Sequence, residues 1–288
     1  MGPPSQTVRA QLAAAEAALV AAGRDEAPVL AEWLVSEAAG LRRLDLLVRG
    51  DAALSDTACA ALREWTRRVA AGEPLQYVVG HTSFFGRDFQ CDPRALIPRP
   101  ETEELCDRIL ADARIWRDPA PVVLDIGTGT GCIAITLALE QPAARVTAVD
   151  LSPDALALAR SNAKRLGVEG RIAWRRGDLL DGVEPASARA IVSNPPYVSE
   201  AEFATLDPTV REHEPALALV SGPEGLDIIR RLAVQAGLVL APGGILWLEI
   251  GNEQGSAVCQ IVRDSGFDAV ALHRDLAGHD RIVEARRP

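Results

Sequence analysis

The residues with the clearest chemical purpose are Ser193-Asn194-Pro195-Pro196-Tyr197. They close an apolar run, Ala188 to Ser193, that reads as a buried strand. Proline fixes φ and removes a donor, and it pushes the residue before it out of helical space. Asn194 and Pro195 are therefore held extended. The Asn194 side-chain oxygen and the Pro195 backbone oxygen become two fixed acceptors, and Tyr197 offers a flat face. Such a pair suits a planar NH₂ group. An amide or aromatic NH₂ is a poor nucleophile because its lone pair is delocalised. Gripping both hydrogens aims the nitrogen at an electrophile and favours charge build-up on it. Positioning of this kind can supply on the order of 7–11 kcal/mol of a barrier. A plain structural turn is the other reading, since Asn-Pro favours turns.

A second set of residues lies earlier in the chain. Asp125-Ile126-Gly127-Thr128-Gly129-Thr130-Gly131 follows an apolar strand and opens a helix. Glycines there let the backbone approach a ligand closely, and free N–H groups at the helix start favour an anionic group. Asp150 ends the next strand, where a carboxylate can take both hydroxyls of a ribose. The dinucleotide fingerprint GxGxxG, counted from Gly127, would need a third glycine at the position of Cys132. A carboxylate beside the loop also suits a cationic ligand better than a pyrophosphate. S-adenosylmethionine carries a sulfonium, an ammonium, a ribose and a carboxylate, and it fits this set. A tight strand-to-helix turn is the alternative for the glycines alone. Gly177-Asp178-Leu179, after the third strand, is placed to meet an adenine edge or is a surface turn.

These residues need a frame. From residue 121 strands and helices alternate, with strands at 121–126, 145–149, 171–174, 188–193, 244–250, 268–273 and 281–285. That pattern predicts an α/β fold with a mostly parallel, doubly wound sheet and an antiparallel edge formed by the last two strands. Residues 1–72 read as a helical bundle, from apolar residues at helical spacing and from Ser55 placed to cap a long helix that Gly72 stops. The bundle is either a structural cap or a substrate-recognition module. Residues 73–98, rich in β-favouring side chains, read as a β-hairpin linker with a turn at Phe85-Gly86-Arg87. Residues 99–288 then form the cofactor-binding domain.

Bulk properties remove several classes. The chain has 288 residues, 48% apolar and 24% charged, which is globular composition for one or two domains. A net charge of −10 without a basic cluster argues against gripping long nucleic acid. Five cysteines with no CxxC pair and four scattered histidines predict neither a disulfide framework nor a metal site. No apolar run reaches the ~18 residues of a membrane span, and no signal pattern opens the chain. The expected compartment is the cytoplasm, and a monomer is expected.

Taken together, Asp125 to Gly131 and Asn194 to Tyr197 resemble the class I methyltransferases that act on NH₂ groups. Ile97-Pro98-Arg99-Pro100-Glu101-Thr102-Glu103, Pro74 to Tyr77, Glu214-Pro215 and Gly222-Pro223-Glu224-Gly225-Leu226 carry the likeness further. They resemble the bacterial release factor glutamine methyltransferases over nearly the whole chain. The resemblance implies a Rossmann-like seven-stranded sheet behind an N-terminal helical domain. It implies methylation of the side-chain amide nitrogen of the glutamine in the Gly-Gly-Gln loop of class 1 peptide chain release factors. Carried over, Gly127, Thr128, Gly129, Thr130, Gly131, Asp150 and Asn194 would bind S-adenosylmethionine. Asn194, Pro195, Pro196 and Tyr197 would hold the glutamine, and Arg99 and Thr102 would lie near the cofactor. Leu179 stands where some members have an aromatic residue. The rival readings are a ribosomal-protein glutamine methyltransferase, a nucleic-acid amino methyltransferase acting on adenine N6 or guanine N2, and a non-catalytic cofactor-binding module.

Overall fold

The computed structural model describes residues 6–288. The chain divides into two compact units, one of residues up to His81 together with Pro208–His213, the other of Thr82–Asp207 and Glu214–Pro288. Residues 1–5 of the segment expected to be helical lie outside the described residues.

The first unit is helical. Its elements are α1 (Val8–Ala21), α2 (Ala27–Ala39), α3 (Arg43–Val48), α4 (Asp56–Ala70) and α5 (Leu75–Val79). Local chemistry starts and stops them. Thr7 and Ser55 cap α1 and α4 by accepting from Ala10 N at 3.3 Å and Ala58 N at 3.1 Å. Gly40, with φ 61°, ends α2 in the left-handed conformation. Val8, Leu19, Leu34, Val35, Leu62, Val69 and Val78 share one apolar core. Leu75–Val79 departs from expectation. Its β-favouring residues form a helical turn between Pro74 and the left-handed Gly80, and Val78 packs into the helical core. Core burial there outweighs a propensity scale that spans only about 1 kcal/mol. The short helix Pro208–His213 also belongs to this unit, far along the chain from the rest of it, and Arg24 donates to Thr209 Oγ1 at 3.1 Å.

His81, the last residue of the first unit's main segment, starts a hairpin of β1 (His81–Phe84) and β2 (Arg87–Gln90) whose other residues belong to the second unit. Phe85 and Gly86 both have positive φ, 52° and 69°, as a two-residue type I′ turn requires. The main sheet contains β3 (Val122–Ile126), β4 (Arg145–Asp150), β5 (Ile172–Arg176), β6 (Ala188–Ser193), β7 (Leu240–Glu249), β8 (Asp268–Arg274) and β9 (Asp280–Arg286). Its order is β5-β4-β3-β6-β7-β9-β8. Adjacent pairs from β5 to β7 are parallel, while β9 runs antiparallel to both β7 and β8. The last two strands form the expected antiparallel pair, with β9 inserted inside β8. Strand β7 starts four residues earlier than expected, with a register shift between its pairs Ala188↔Leu240 and Ala190↔Ile245.

Both faces are covered, as strands that are apolar on both sides demand. Val123, Val146, Ala148, Ala190, Val192 and Ile245 face one core with residues of helices Pro100–Ala111 and Cys132–Glu140. Leu124, Ile126, Val149, Ile191, Leu246 and Leu248 face the other, with residues of helices Asp227–Val239 and Gly255–Asp264. Among the described residues no helix is long and apolar enough to cross a membrane.

Candidate functional site

Strand register builds the site. Ile126 pairs with Val149 and with Ser193, and Ser193 pairs with Leu248. The next residue of each chain segment is Gly127, Asp150, Asn194 and Glu249. These four therefore stand in one row at the carboxyl edge. The row straddles β3, whose neighbours β4 and β6 lead off in opposite directions. This is the switch point at which doubly wound sheets bind ligands. A pocket opens there. It is lined by Gly127 to Thr130, Asp150, Gly177 to Leu179, Asn194 and Pro196, and by Arg99 and Thr102. Gly131, Pro195 and Tyr197 do not line it.

The glycine loop is held from below. Buried Asp125 accepts from Thr128 Oγ1 at 2.6 Å and from Ala134 N at 3.0 Å through one oxygen. Burial pushes its carboxyl up to about 7. Gly127 N and Thr128 N donate to Val149 O at 2.9 and 3.0 Å, and Gly131 N to Thr128 O at 2.8 Å. Gly127, Gly129 and Gly131 all have positive φ. A Cβ on Gly131 would also meet Ala159 and Ile135 at 3.0 Å, so the third glycine serves close packing of loop on helix. Most amides of the loop are thus already paired. The carboxylates that line the pocket are Asp150 and Asp178, from the segments after the next two strands, and they suit a cationic sulfonium better than a pyrophosphate.

Asp150 is set the same way. Its two oxygens accept from Gly129 N and Ser152 N, both at 2.9 Å. Each oxygen keeps a lone pair for a ribose hydroxyl. Burial raises its pKa, opposed by those backbone donors. Ser152, accepting from Ala155 N at 3.2 Å, caps the following helix with Pro153 at its first position. Asp178 lines the pocket while paired with Arg231 at 2.7 Å. Leu179 has φ 52°, a left-handed conformation uncommon for a branched side chain, and supplies apolar wall. With Ile126, Val149 and Leu217 it forms an apolar wall of the pocket, of the kind an adenine ring could use.

The second loop presents acceptors. Ser193 Oγ donates to Ile126 O at 2.7 Å, tying the ends of β6 and β3 together. Asn194 Nδ2 donates to Thr102 Oγ1 at 3.1 Å. Among the described residues none donates to Asn194 Oδ1 or to Pro195 O. The main chain beyond is clamped: Gln254 Nε2 donates to Tyr197 O at 2.8 Å, and Val198 exchanges backbone bonds with Leu219 and Ser221. Gly225, with φ 71°, fits beneath, where a Cβ would stand 2.3 Å from Tyr197 O. Gly222, with φ 74°, leaves no room for a Cβ beside Asp227. Close approach therefore explains the glycines of Gly222-Pro-Glu-Gly-Leu226. The Tyr197 ring packs against the core that Ile126 and Leu248 share, and burial pushes its phenol up to about 12. The ring is half-buried there, with part of its surface exposed.

Two acids that sequence reasoning gave no role complete the site. Glu214, 5% exposed, accepts from Ile97 N at 3.1 Å and from Arg99. It fixes the segment Ala95–Arg99 that walls the pocket. Glu249, 1% exposed, accepts from Thr102 Oγ1 at 2.6 Å. A signal for Glu249 was present: an acid ends an apolar strand there, as Asp150 does in β4.

Comparisons with known proteins agree with this geometry. A family model described as Methyltransferase small domain matches residues 109–213, and one described as PrmC N-terminal domain matches residues 10–80. A release factor glutamine methyltransferase of Nitratidesulfovibrio vulgaris is 42% identical over 98% of this chain and 95% of its own. One from Cereibacter sphaeroides is 44% identical over 96% and 97%. A methyltransferase crystal structure from Pyrococcus furiosus, 18% identical, superposes with a TM-score of 0.52 over 71% of this chain and 91% of that one, and shares the fold. The identity over nearly full length settles kinship where the fold alone would not, and this chain belongs to the release factor glutamine methyltransferases.

Proposed function

We propose that the chain transfers a methyl group from S-adenosylmethionine to the side-chain amide nitrogen, N5, of the glutamine in the Gly-Gly-Gln motif of class 1 peptide chain release factors. The observation that carries this reading is the pair of unspent acceptors, Asn194 Oδ1 and Pro195 O. They stand at the end of β6, one row position from the glycine loop. S-adenosylmethionine supplies an activated methyl on a sulfonium. Asp150 would take its ribose, Gly127 to Gly131 its amino-acid end, and Gly177 to Leu179 its adenine. Asn194 and Pro195 accept from the two hydrogens of the glutamine NH₂. This fixes the amide plane so that the nitrogen lone pair, which stands perpendicular to it, would face the methyl. As the N–C bond forms, positive charge grows on nitrogen and both acceptor contacts strengthen, which is transition-state stabilisation by fixed dipoles. The methyl would pass from sulfur to the nitrogen as the S–C bond breaks, and one amide proton would pass to solvent water.

The helical unit is proposed to recognise the release factor. Its support is an apolar stripe on α3, where Leu44, Leu47 and Val48 are 77%, 80% and 86% exposed, more than a scattered surface leucine would explain. The net charge of −10 favours a protein substrate over long nucleic acid. The protein is proposed to act as a cytoplasmic monomer.

The decisive experiment incubates the protein with methyl-labelled S-adenosylmethionine and purified release factor, then maps the label by mass spectrometry. Label on the Gly-Gly-Gln glutamine supports the reading. Label elsewhere, or on ribosomal protein or RNA in preference, overturns it.

A further inference from the structure

Glu249 is buried beside the pocket and has no task in the reaction just described. It neighbours Asn194 in the row at the sheet edge, because Ser193 pairs with Leu248. Between the two side chains lies Thr102, from the helix Pro100–Ala111. Thr102 Oγ1 stands 2.6 Å from Glu249 Oε2 and 3.1 Å from Asn194 Nδ2.

This chain of groups has one direction while Glu249 is ionised. A carboxylate has no proton to give, so the Thr102 hydroxyl must donate to it. The Thr102 oxygen is then left as an acceptor. Asn194 can satisfy it only with NH₂, and its oxygen is turned to the pocket. A protonated Glu249 removes the constraint. It can donate to Thr102, whose hydroxyl then donates onward and is met by the Asn194 oxygen. The Asn194 NH₂ then faces the pocket, where it opposes the substrate NH₂.

We propose that Glu249 is the positioning residue for Asn194, setting through Thr102 which end of the carboxamide meets the substrate nitrogen. The inference rests on the reading of Asn194 as acceptor for that nitrogen. It gives Thr102 a role beyond nearness to cofactor.

The surroundings place the switch in a useful range. Burial pushes the Glu249 carboxyl up to about 7. The Thr102 bond and the cations Arg281, from β9, and Arg99, before the Pro100 helix, hold it down, and Glu101 pushes it up. Arg281 is fixed by Asp275 at 3.2 Å and by Ile250 O at 3.1 Å. The phenol of Tyr197 also faces Glu249 and stays neutral. The ionised form is the competent one. Turnover therefore rises with pH through the Glu249 titration and levels off above it.

The test is the dependence of kcat on pH, with labelled S-adenosylmethionine and release factor both saturating. The wild type should show an acid limb near neutrality. In Glu249→Gln the amide can accept or donate, so both Asn194 orientations coexist. Its plateau turnover should fall about two- to tenfold, in proportion to the competent fraction, with an unchanged KM for S-adenosylmethionine and no acid limb. Thr102→Val should also lose the limb, and Thr102→Ser should keep it. This pair decides the matter if Glu249→Gln does not fold. A wild-type limb retained in Glu249→Gln or in Thr102→Val overturns the proposal. Failure of the underlying reading is seen separately, as normal turnover in Asn194→Ala.

Discussion

Two loops leave neighbouring strands at the same sheet edge and do opposite things. The loop after β3 is built of glycines. Its backbone turns through positive φ, and its amides are spent on Val149, Thr128 and Asp150. The loop after β6 is built of prolines. It lacks two amide donors, and among the described residues none donates to Asn194 Oδ1 or Pro195 O. Glycine is needed where the chain must pass close to a ligand or a helix. Proline is needed where an oxygen must stay aimed without later reorganisation. The contrast teaches that one sheet edge can carry two neighbouring loops of opposite character by changing only which backbone freedom is removed, the division of labour that the proposed function requires.

The sharpest way to break this contrast is to remove an acceptor. Asn194→Ala should lower turnover about 10²–10³-fold, the usual cost of one preorganised transition-state contact. S-adenosylmethionine affinity by calorimetry should barely move. An unchanged rate would take Asn194 out of the chemistry and reduce the proline loop to a structural turn.

A smaller effect is expected on the glycine side. Asp150→Ala should weaken S-adenosylmethionine binding about 10- to 100-fold, as losing hydrogen bonds to a charged group costs ~1.5–3 kcal/mol. Turnover at saturating cofactor should hold up better than affinity does. Equal loss in both would mean that the two loops do not divide the labour as described.

Smaller again is the clamp on the proline loop. Gln254→Ala removes the bonds to Tyr197 O and Gly225 O. One neutral hydrogen bond is worth about 1 kcal/mol. Turnover should drop several-fold with no change in cofactor affinity. The opposite split would show that Gln254 supports the cofactor instead.

The last effect concerns stability. The folded Asp125 carboxyl is raised to about 7 from its ordinary acidic value. Between those two values the native state keeps a proton that the unfolded chain has released. Its contribution therefore favours folding at low pH and fades as pH rises toward 7. The wild type should lose melting temperature relative to Asp125→Asn as pH goes from about 5 to 7.5. Parallel profiles in differential scanning fluorimetry would count against a raised Asp125.

Much of the frame was legible because it follows from local pattern. Apolar runs marked every strand of the main sheet, and Ser55 and Ser152 marked helix starts. Val78 and its neighbours misled because burial in a helical core outweighed their β preference. The helix Pro208–His213 gave no sign that it belongs with the N-terminal helices, since sequence distance says nothing about a return of the chain. At the site, Asp125, Asp150 and Asn194 were readable as polar residues closing apolar strands. Glu249 carries the same sign, an acid closing an apolar strand. The Tyr197 ring is half-buried against the core that holds Leu248 and does not line the pocket, a placement set by neighbours far along the chain.

The sequence by itself determined which backbone segments are free and which are locked, because glycine and proline act on their own φ and on the residue beside them. It also determined which strand ends carry oxygen. Only the tertiary structure decided that Gly127, Asp150, Asn194 and Glu249 form one row, and that Thr102 reaches across 147 residues to Glu249. Register between strands and the packing of a helix over them are set by the whole core, and no short window of sequence contains them.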